Sequence, residues 1–132
     1  MGLRVLIVDD DADLRGAVAS ILRPLADISE ACDGLQALDI IEREKPRLVL
    51  LDVSMPGASG LEVLESARAL DPSLLVVMLT SDQDIEMAQK ALRLGAVEYV
   101  TKPFDADYIR AEVARLLGAA KPREEEPWRV VP

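Results

Sequence analysis

The sequence predicts one α/β domain of five βα units, a doubly wound parallel sheet with helices on both faces. Three observations carry that expectation. Short apolar runs alternate with amphipathic segments along the whole chain, and strands joined by helical crossovers run parallel, with right-handed connections. Two runs, Leu3-Arg4-Val5-Leu6-Ile7-Val8 and Leu48-Val49-Leu50-Leu51, have the β-branched and leucine content of strands buried on both faces. Both stop at acids, Asp9-Asp10-Asp11 and Asp52, and sites in open sheets lie beyond the carboxyl ends of the strands.

Each element follows from its local pattern. Leu3 to Asp9 is the first strand. Leu14, Val18, Ile21, Leu22 and Leu25 recur at the spacing of one helix face, with Asp11 placed to cap that helix and Pro24 near its end. Asp27 to Cys32 is a weaker strand, and Asp33-Gly34 turns or caps into a helix with Ala37, Leu38 and Ile41 inward. Arg47 to Asp52 is the third strand, entered through Pro46. Ser54 to Gly60 is a loop by its proline and glycine content. A helix from about Leu61 to Leu70 stops at Asp71-Pro72. Leu74 to Leu79 is the fourth strand, ending at Thr80. Ile85, Ala88 and Leu92 mark the inward face of the next helix, closed by Gly95. Val97 to Thr101 is the fifth strand, and Ile109, Val113, Leu116 and Leu117 mark the last helix.

Composition narrows the chemistry. At 132 residues the chain fits a single domain with a real core. No apolar stretch approaches about 20 residues, so no membrane span is expected, and the N-terminus has no signal-peptide pattern. Cys32 is the only cysteine, which leaves no intrachain disulfide or Cys-rich zinc site and reads as a small buried hydrophobe. A reducing, cytoplasmic setting is the default. Histidine is absent, which removes Ser-His-Asp and Cys-His nucleophile systems, His-ligated metals and any phosphohistidine on this chain. The formal charge is −9, and the segment from Ala119 onward is balanced, so the deficit belongs to the globular part. Such a domain should repel DNA.

The strand ends place Asp9, Asp10, Asp52, Thr80 and Lys102 at one edge. Carboxylates crowded there repel by about 4 kcal/mol per pair at 4 Å and an effective dielectric near 20, and a hard divalent cation with oxygen ligands offsets that repulsion. Asp9, Asp10 and Asp52 are candidates to hold Mg²⁺, while Lys102 offers a point charge for an anion and Thr80 a donor. A metal, an ammonium and a hydroxyl around a carboxylate suit phosphoryl transfer onto that carboxylate. No G-x-G-x-x-G follows the first strand and no G-x-x-x-x-G-K occurs, so the dinucleotide and P-loop fingerprints are missing.

The segments Val8-Asp9-Asp10, Leu51-Asp52-Val53-Ser54-Met55-Pro56-Gly57, Leu79-Thr80-Ser81 and Tyr99-Val100-Thr101-Lys102-Pro103-Phe104 resemble, in order and spacing, the receiver domain of two-component response regulators. The resemblance covers residues from about 3 to 118, so a receiver domain is expected over 1–118, with 119–132 a Pro/Glu-rich tail or the start of a linker. It implies the flavodoxin-like receiver fold with strand order 2-1-3-4-5. It also implies that Asp52 takes a phosphoryl group from a phosphohistidine on a sensor histidine kinase or phosphotransfer protein. Asp10 would ligate Mg²⁺ directly, Asp9 directly or through water, and the Ser54 backbone carbonyl would complete the protein ligands with Asp52. Lys102 would pair with Asp52 and then with the phosphoryl oxygen, and the Lys102-Pro103 bond would be cis. Thr80 and Tyr99 resemble the family's coupled switch pair, and Ser54 and Asp82 the positions that influence phosphoryl lifetime. Asp82 is equally placed to cap the following helix. One departure is Ser81, where the family commonly has alanine.

The family signals through its fourth helix, fifth strand and fifth helix, so Met87 and Leu94, with Tyr99 nearby, are the expected partner or homodimer surface. No output domain is present in the sequence. Two rival readings remain: an aspartyl-phosphate phosphatase or phosphotransferase, and a pseudo-receiver that binds partners without phosphorylation. The first usually carries an acid two residues after the nucleophile, where this chain has Ser54. The intact acids, Thr80 and Lys102 argue against the second.

Overall fold

The computed structural model describes residues 3–53, 55 and 59–129, without the side chains at 82 and 119–129. Five strands, β1 (Arg4–Val8), β2 (Asp27–Ala31), β3 (Leu48–Asp52), β4 (Leu75–Thr80) and β5 (Glu98–Thr101), alternate with five helices. The helices are α1 (Ala12–Leu22), α2 (Gly34–Glu44), α3 (Gly60–Leu70), α4 (Ile85–Arg93) and α5 (Ala106–Arg129). All strand pairs are parallel, in the order β2-β1-β3-β4-β5. The reversal of direction between β1 and β3 opens the crevice where such sheets hold their ligands.

Strand parity divides the core into two layers, because successive side chains point to opposite faces. Leu6, Val8, Val49, Leu51, Val76 and Met78 pack with Ile41, Leu64 and Ala88, under α2, α3 and α4. Val5, Ile7, Leu48, Leu50, Val77 and Leu79 pack with Leu22, Ile109 and Val113, under α1 and α5. Every residue of β3 is buried, which explains its uninterrupted apolar run.

Local signals set the helix starts. The Asp11 carboxylate accepts from the Asp13 and Leu14 N–H groups at 3.0 and 3.2 Å, and Asp33 caps α2 through the Gln36 N–H at 2.8 Å. Ser59 and Glu62 form a reciprocal capping box at the start of α3. Asp11→Ala is therefore expected to destabilise the fold by about 1 kcal/mol while leaving Mg²⁺ affinity unchanged. Chemical denaturation and a Mg²⁺ titration of the same variant check both halves.

Three expectations need correction. Helix α1 ends at Leu22, before Leu25, because Pro24 has no N–H to continue the ladder; Leu25 still packs on the core from the following turn. Cys32 is exposed, since it lies one residue past the end of β2 on the carboxyl rim, where its N–H is held by Gln36 at 2.7 Å. Leu92 is 38 % exposed. Helix α4 instead turns Ala88 and Ala91 inward, with Met87 and Leu94 half-buried beside them, and the two alanines allow close approach to the sheet. Helix α5 runs from Ala106 to Arg129, into the segment read as a tail.

Candidate functional site

The carboxyl rim gathers the site because each strand ends in register with its neighbour. Val8 of β1 pairs with Leu51 of β3, Asp52 with Leu79 of β4, and Thr80 with Thr101 of β5. Asp9 and Asp10 therefore leave the sheet beside Asp52, and Lys102 leaves beside Thr80. Three further bonds extend the ladder past the last pairs, Asp9 N–H to the Ala31 carbonyl at 3.1 Å, Val53 N–H to the Leu79 carbonyl at 2.9 Å and Lys102 N–H to the Thr80 carbonyl at 2.7 Å.

Asp9, Asp10 and Asp52 each offer a carboxylate oxygen, and all three lie within 4.8 Å of one another. Asp9 and Asp52 are buried, whereas Asp10 is exposed. Lys102 reaches back over the rim, its Nζ 3.1 Å from Asp9 Oδ2 and 3.4 Å from Asp52 Oδ2. Partial burial alone would lower the pKa of this ammonium. The hydrogen bond that it donates to Asp9 and the attraction of both carboxylates outweigh that effect and hold it above the ordinary lysine value. The Lys102–Pro103 peptide bond is cis.

Thr80 is buried, and its hydroxyl donates to the Ser81 carbonyl at 3.0 Å. The Ser81 hydroxyl donates to Asp84 Oδ2 at 3.2 Å, which ties the departing serine to the start of α4. Tyr99, opposite Met78 in register, is half-buried against the α4-side core. It also borders a groove of about 580 Å³ with Thr101, Phe104 and Tyr108. Asp82 opens a 3₁₀ turn over Asp82–Asp84, and the cap position of α4 falls to Asp84, so the expected capping by Asp82 is not what the backbone does. Ser54 lies outside the described residues.

Two residues that the sequence did not single out shape the site. A Cβ added at Gly60 would stand 2.7 Å from the Asp52 carbonyl oxygen and 2.8 Å from both the Cα and the carbonyl oxygen of Val53. The first turn of α3 thus lies directly against the backbone that carries Asp52. Gly60→Ala is expected to cost about 1–3 kcal/mol by overpacking and to slow any chemistry at Asp52. Gly16, in α1, has nothing within 4 Å of the same added atom, so Gly16→Ala should stabilise by about 1 kcal/mol. Urea melts of the two variants test the contrast. Glycines in both settings look alike in sequence, and only the close approach separates them. The second residue, Arg15, donates to the Asp9 carbonyl at 2.7 Å and to Glu30 at 3.0 Å.

A sheet in this order, with an acid trio, a buried threonine and a lysine on its carboxyl rim, defines the receiver class of two-component signalling domain. The family model of the response regulator receiver domain matches residues 5–114, and the chain belongs to that family. The sporulation initiation phosphotransferase F of Bacillus subtilis is 37% identical over 118 residues, covering 89% of this chain and 95% of the relative. The response regulator MprA of Mycobacterium tuberculosis is 34% identical over 94% of this chain, which spans only 54% of that protein. The crystal structure of the receiver domain of NtrX from Brucella abortus superposes with a TM-score of 0.82 at 38% identity, covering 86% of this chain and 98% of that one. The domain is therefore a signalling module of response regulators rather than a turnover enzyme of the ordinary kind. Among the described residues no helix is long and apolar enough to cross a membrane.

Proposed function

We propose that Asp52 accepts a phosphoryl group from a phosphohistidine on a sensor histidine kinase or a histidine phosphotransfer protein, in a Mg²⁺-dependent reaction. The resulting acyl phosphate shifts the domain between two conformations that an output domain or partner distinguishes. One observation carries this reading: three carboxylates with oxygens within 4.8 Å of one another, faced by an ammonium 3.1 and 3.4 Å from two of them. The printed name of the B. subtilis relative, a phosphotransferase, supports phosphoryl uptake. The length of MprA beyond the matched part supports an output domain or partner.

The donor set fits Mg²⁺, being all oxygen, anionic and open to water on the exposed Asp10 side. Asp9, Asp10 and Asp52 would hold the ion, with the Ser54 carbonyl as the remaining protein ligand. When bound, the ion supplies positive charge against the phosphoryl oxygens. An Asp52 oxygen attacks phosphorus as the P–N bond to the donor imidazole breaks, and the bonding pair leaves with the ring. Lys102 exchanges its Asp52 contact for a phosphoryl oxygen while Asp9 keeps it in place. The Thr80 hydroxyl leaves the Ser81 carbonyl for the phosphoryl group, and Tyr99 turns further inward into the space so opened. Ser54 and Asp82 border the phosphoryl group and tune its lifetime. Met87, Leu94 and Tyr99 form part of the partner or dimer surface, with only their outer edges available in the present state.

Incubation with Mg²⁺ and acetyl phosphate, followed by intact-mass measurement, tests this. One added phosphoryl group, absent in EDTA, is the expected result. No adduct under any condition points instead to a pseudo-receiver. Rapid multiple turnover without an adduct-linked conformational change points to a phosphatase.

A further inference from the structure

We propose that Arg15 is a positioning residue for the Mg²⁺ seat, a guanidinium clamp that sets the direction in which Asp10 leaves the rim. The proposal rests on the reading of Asp9 and Asp10 as the metal-holding pair.

The Arg15 side chain is only 17 % exposed. Its Nη1 donates to the Asp9 carbonyl oxygen at 2.7 Å and its Nε to Glu30 Oε1 at 3.0 Å. Glu30 lies on β2 opposite Ile7 and also faces Arg23 at 3.9 Å. A guanidinium holds its donors in a rigid planar fork, so Glu30 orients the fork and the fork orients the carbonyl. That carbonyl belongs to the planar peptide unit joining Asp9 to Asp10. Holding its oxygen fixes where the Asp10 Cα stands.

The two acids differ in what else restrains them. The Asp9 carboxylate accepts from the Asp11 N–H at 2.9 Å and from Lys102 at 3.1 Å. Asp10 is exposed, and among the described residues no group donates to its carboxylate. The aim of Asp10 therefore depends on its backbone, and its backbone on Arg15.

Charge and positioning make opposite predictions. A guanidinium near the seat repels a cation, so by charge alone its removal should tighten Mg²⁺ binding. As a positioning group its removal should weaken binding, and partners that orient metal ligands are typically worth about 10–100-fold in affinity. Calorimetric Mg²⁺ titration of the full chain separates these. The double variant Arg15→Met, Glu30→Gln removes the pair without changing its net charge, and Arg15→Lys keeps a donor that reaches the carbonyl but loses the fork.

Expected are a loss of about 10-fold or more in the double variant and an intermediate loss in Arg15→Lys, with phosphoryl uptake recovering at saturating Mg²⁺. Affinity equal to or tighter than wild type in the double variant overturns the proposal. If melts in EDTA find that variant unfolded at the titration temperature, Arg15→Lys decides by the same criterion. Wild-type protein that binds no Mg²⁺ overturns the underlying reading along with the proposal, a result distinct from failure in the variants alone.

Discussion

Asp52→Asn is expected to lose phosphoryl uptake entirely while the apo domain melts at or above the wild-type temperature. Asparagine keeps the shape of the side chain, but its amide nitrogen and oxygen are not competent nucleophiles at neutral pH, so the acceptor is gone. The fold should tolerate the change because the trio sets three formal negative charges beside Lys102. Each carboxylate pair repels by about 4 kcal/mol at 4 Å and an effective dielectric near 20, and neutralising one relieves part of that. Lys102 keeps its Asp9 contact at 3.1 Å. Mg²⁺ affinity should fall, since the ion loses an anionic ligand. Intact mass after acetyl phosphate and thermal melts in EDTA measure the two effects separately. A variant that lost uptake only because it melted far below wild type would contradict the assignment.

The second large effect is expected for Lys102→Met, and it has the opposite sign for stability. Removing the ammonium leaves Asp9 and Asp52 buried and facing each other without their shared counter-charge. Breaking a fully buried pair costs about 3–5 kcal/mol. Lys102 is a quarter exposed, so about 2 kcal/mol is expected, with Mg²⁺ restoring a share by binding only the folded state. Phosphoryl uptake at saturating Mg²⁺ should slow by about 10²–10³-fold, the usual effect of removing a preorganised group from a developing charge. A pH dependence follows. Lys102 titrates above its ordinary value in the fold because attraction by Asp9 and Asp52 exceeds the cost of burial. Its stabilisation is thus fully present below the unfolded-state value, near 10.5, and is lost as pH rises through the folded-state value. Wild type should therefore lose stability more steeply than Lys102→Met above that pH, as paired urea melts would measure.

The strands were legible because burial on both faces leaves a continuous apolar run, as in Leu48-Val49-Leu50-Leu51, and the strand-end acids were legible because a parallel sheet puts every carboxyl end on one rim. Asp11 and Asp33 were readable as caps from position alone. What failed depended on rotation or on crossing chain segments. The α4 face could be drawn through Ile85, Ala88 and Leu92 or through Met87, Ala91 and Leu94, arcs centred about a third of a turn apart. Packing on β4 and β5 put the buried line between the two rows, at Ala88 and Ala91. Cys32 sits one residue beyond the last covered strand position, a distinction finer than periodicity resolves. Arg15 meets Glu30 only because β2 lies beside β1, and Gly60 meets Asp52 only because α3 starts against the end of β3. Both depend on neighbours that a linear pattern does not name.

The central claim is that, of three carboxylates on one rim, Asp52 takes the phosphoryl group and Asp9 and Asp10 seat the metal. Borohydride reduction of the acetyl-phosphate-treated protein converts a phosphorylated aspartate to homoserine, which peptide mapping then locates. Homoserine at position 52 alone, formed with Mg²⁺ and not in EDTA, is the predicted result. Homoserine at position 9 or 10, or a phosphoryl group that survives on a hydroxyl side chain with no homoserine anywhere, would contradict it.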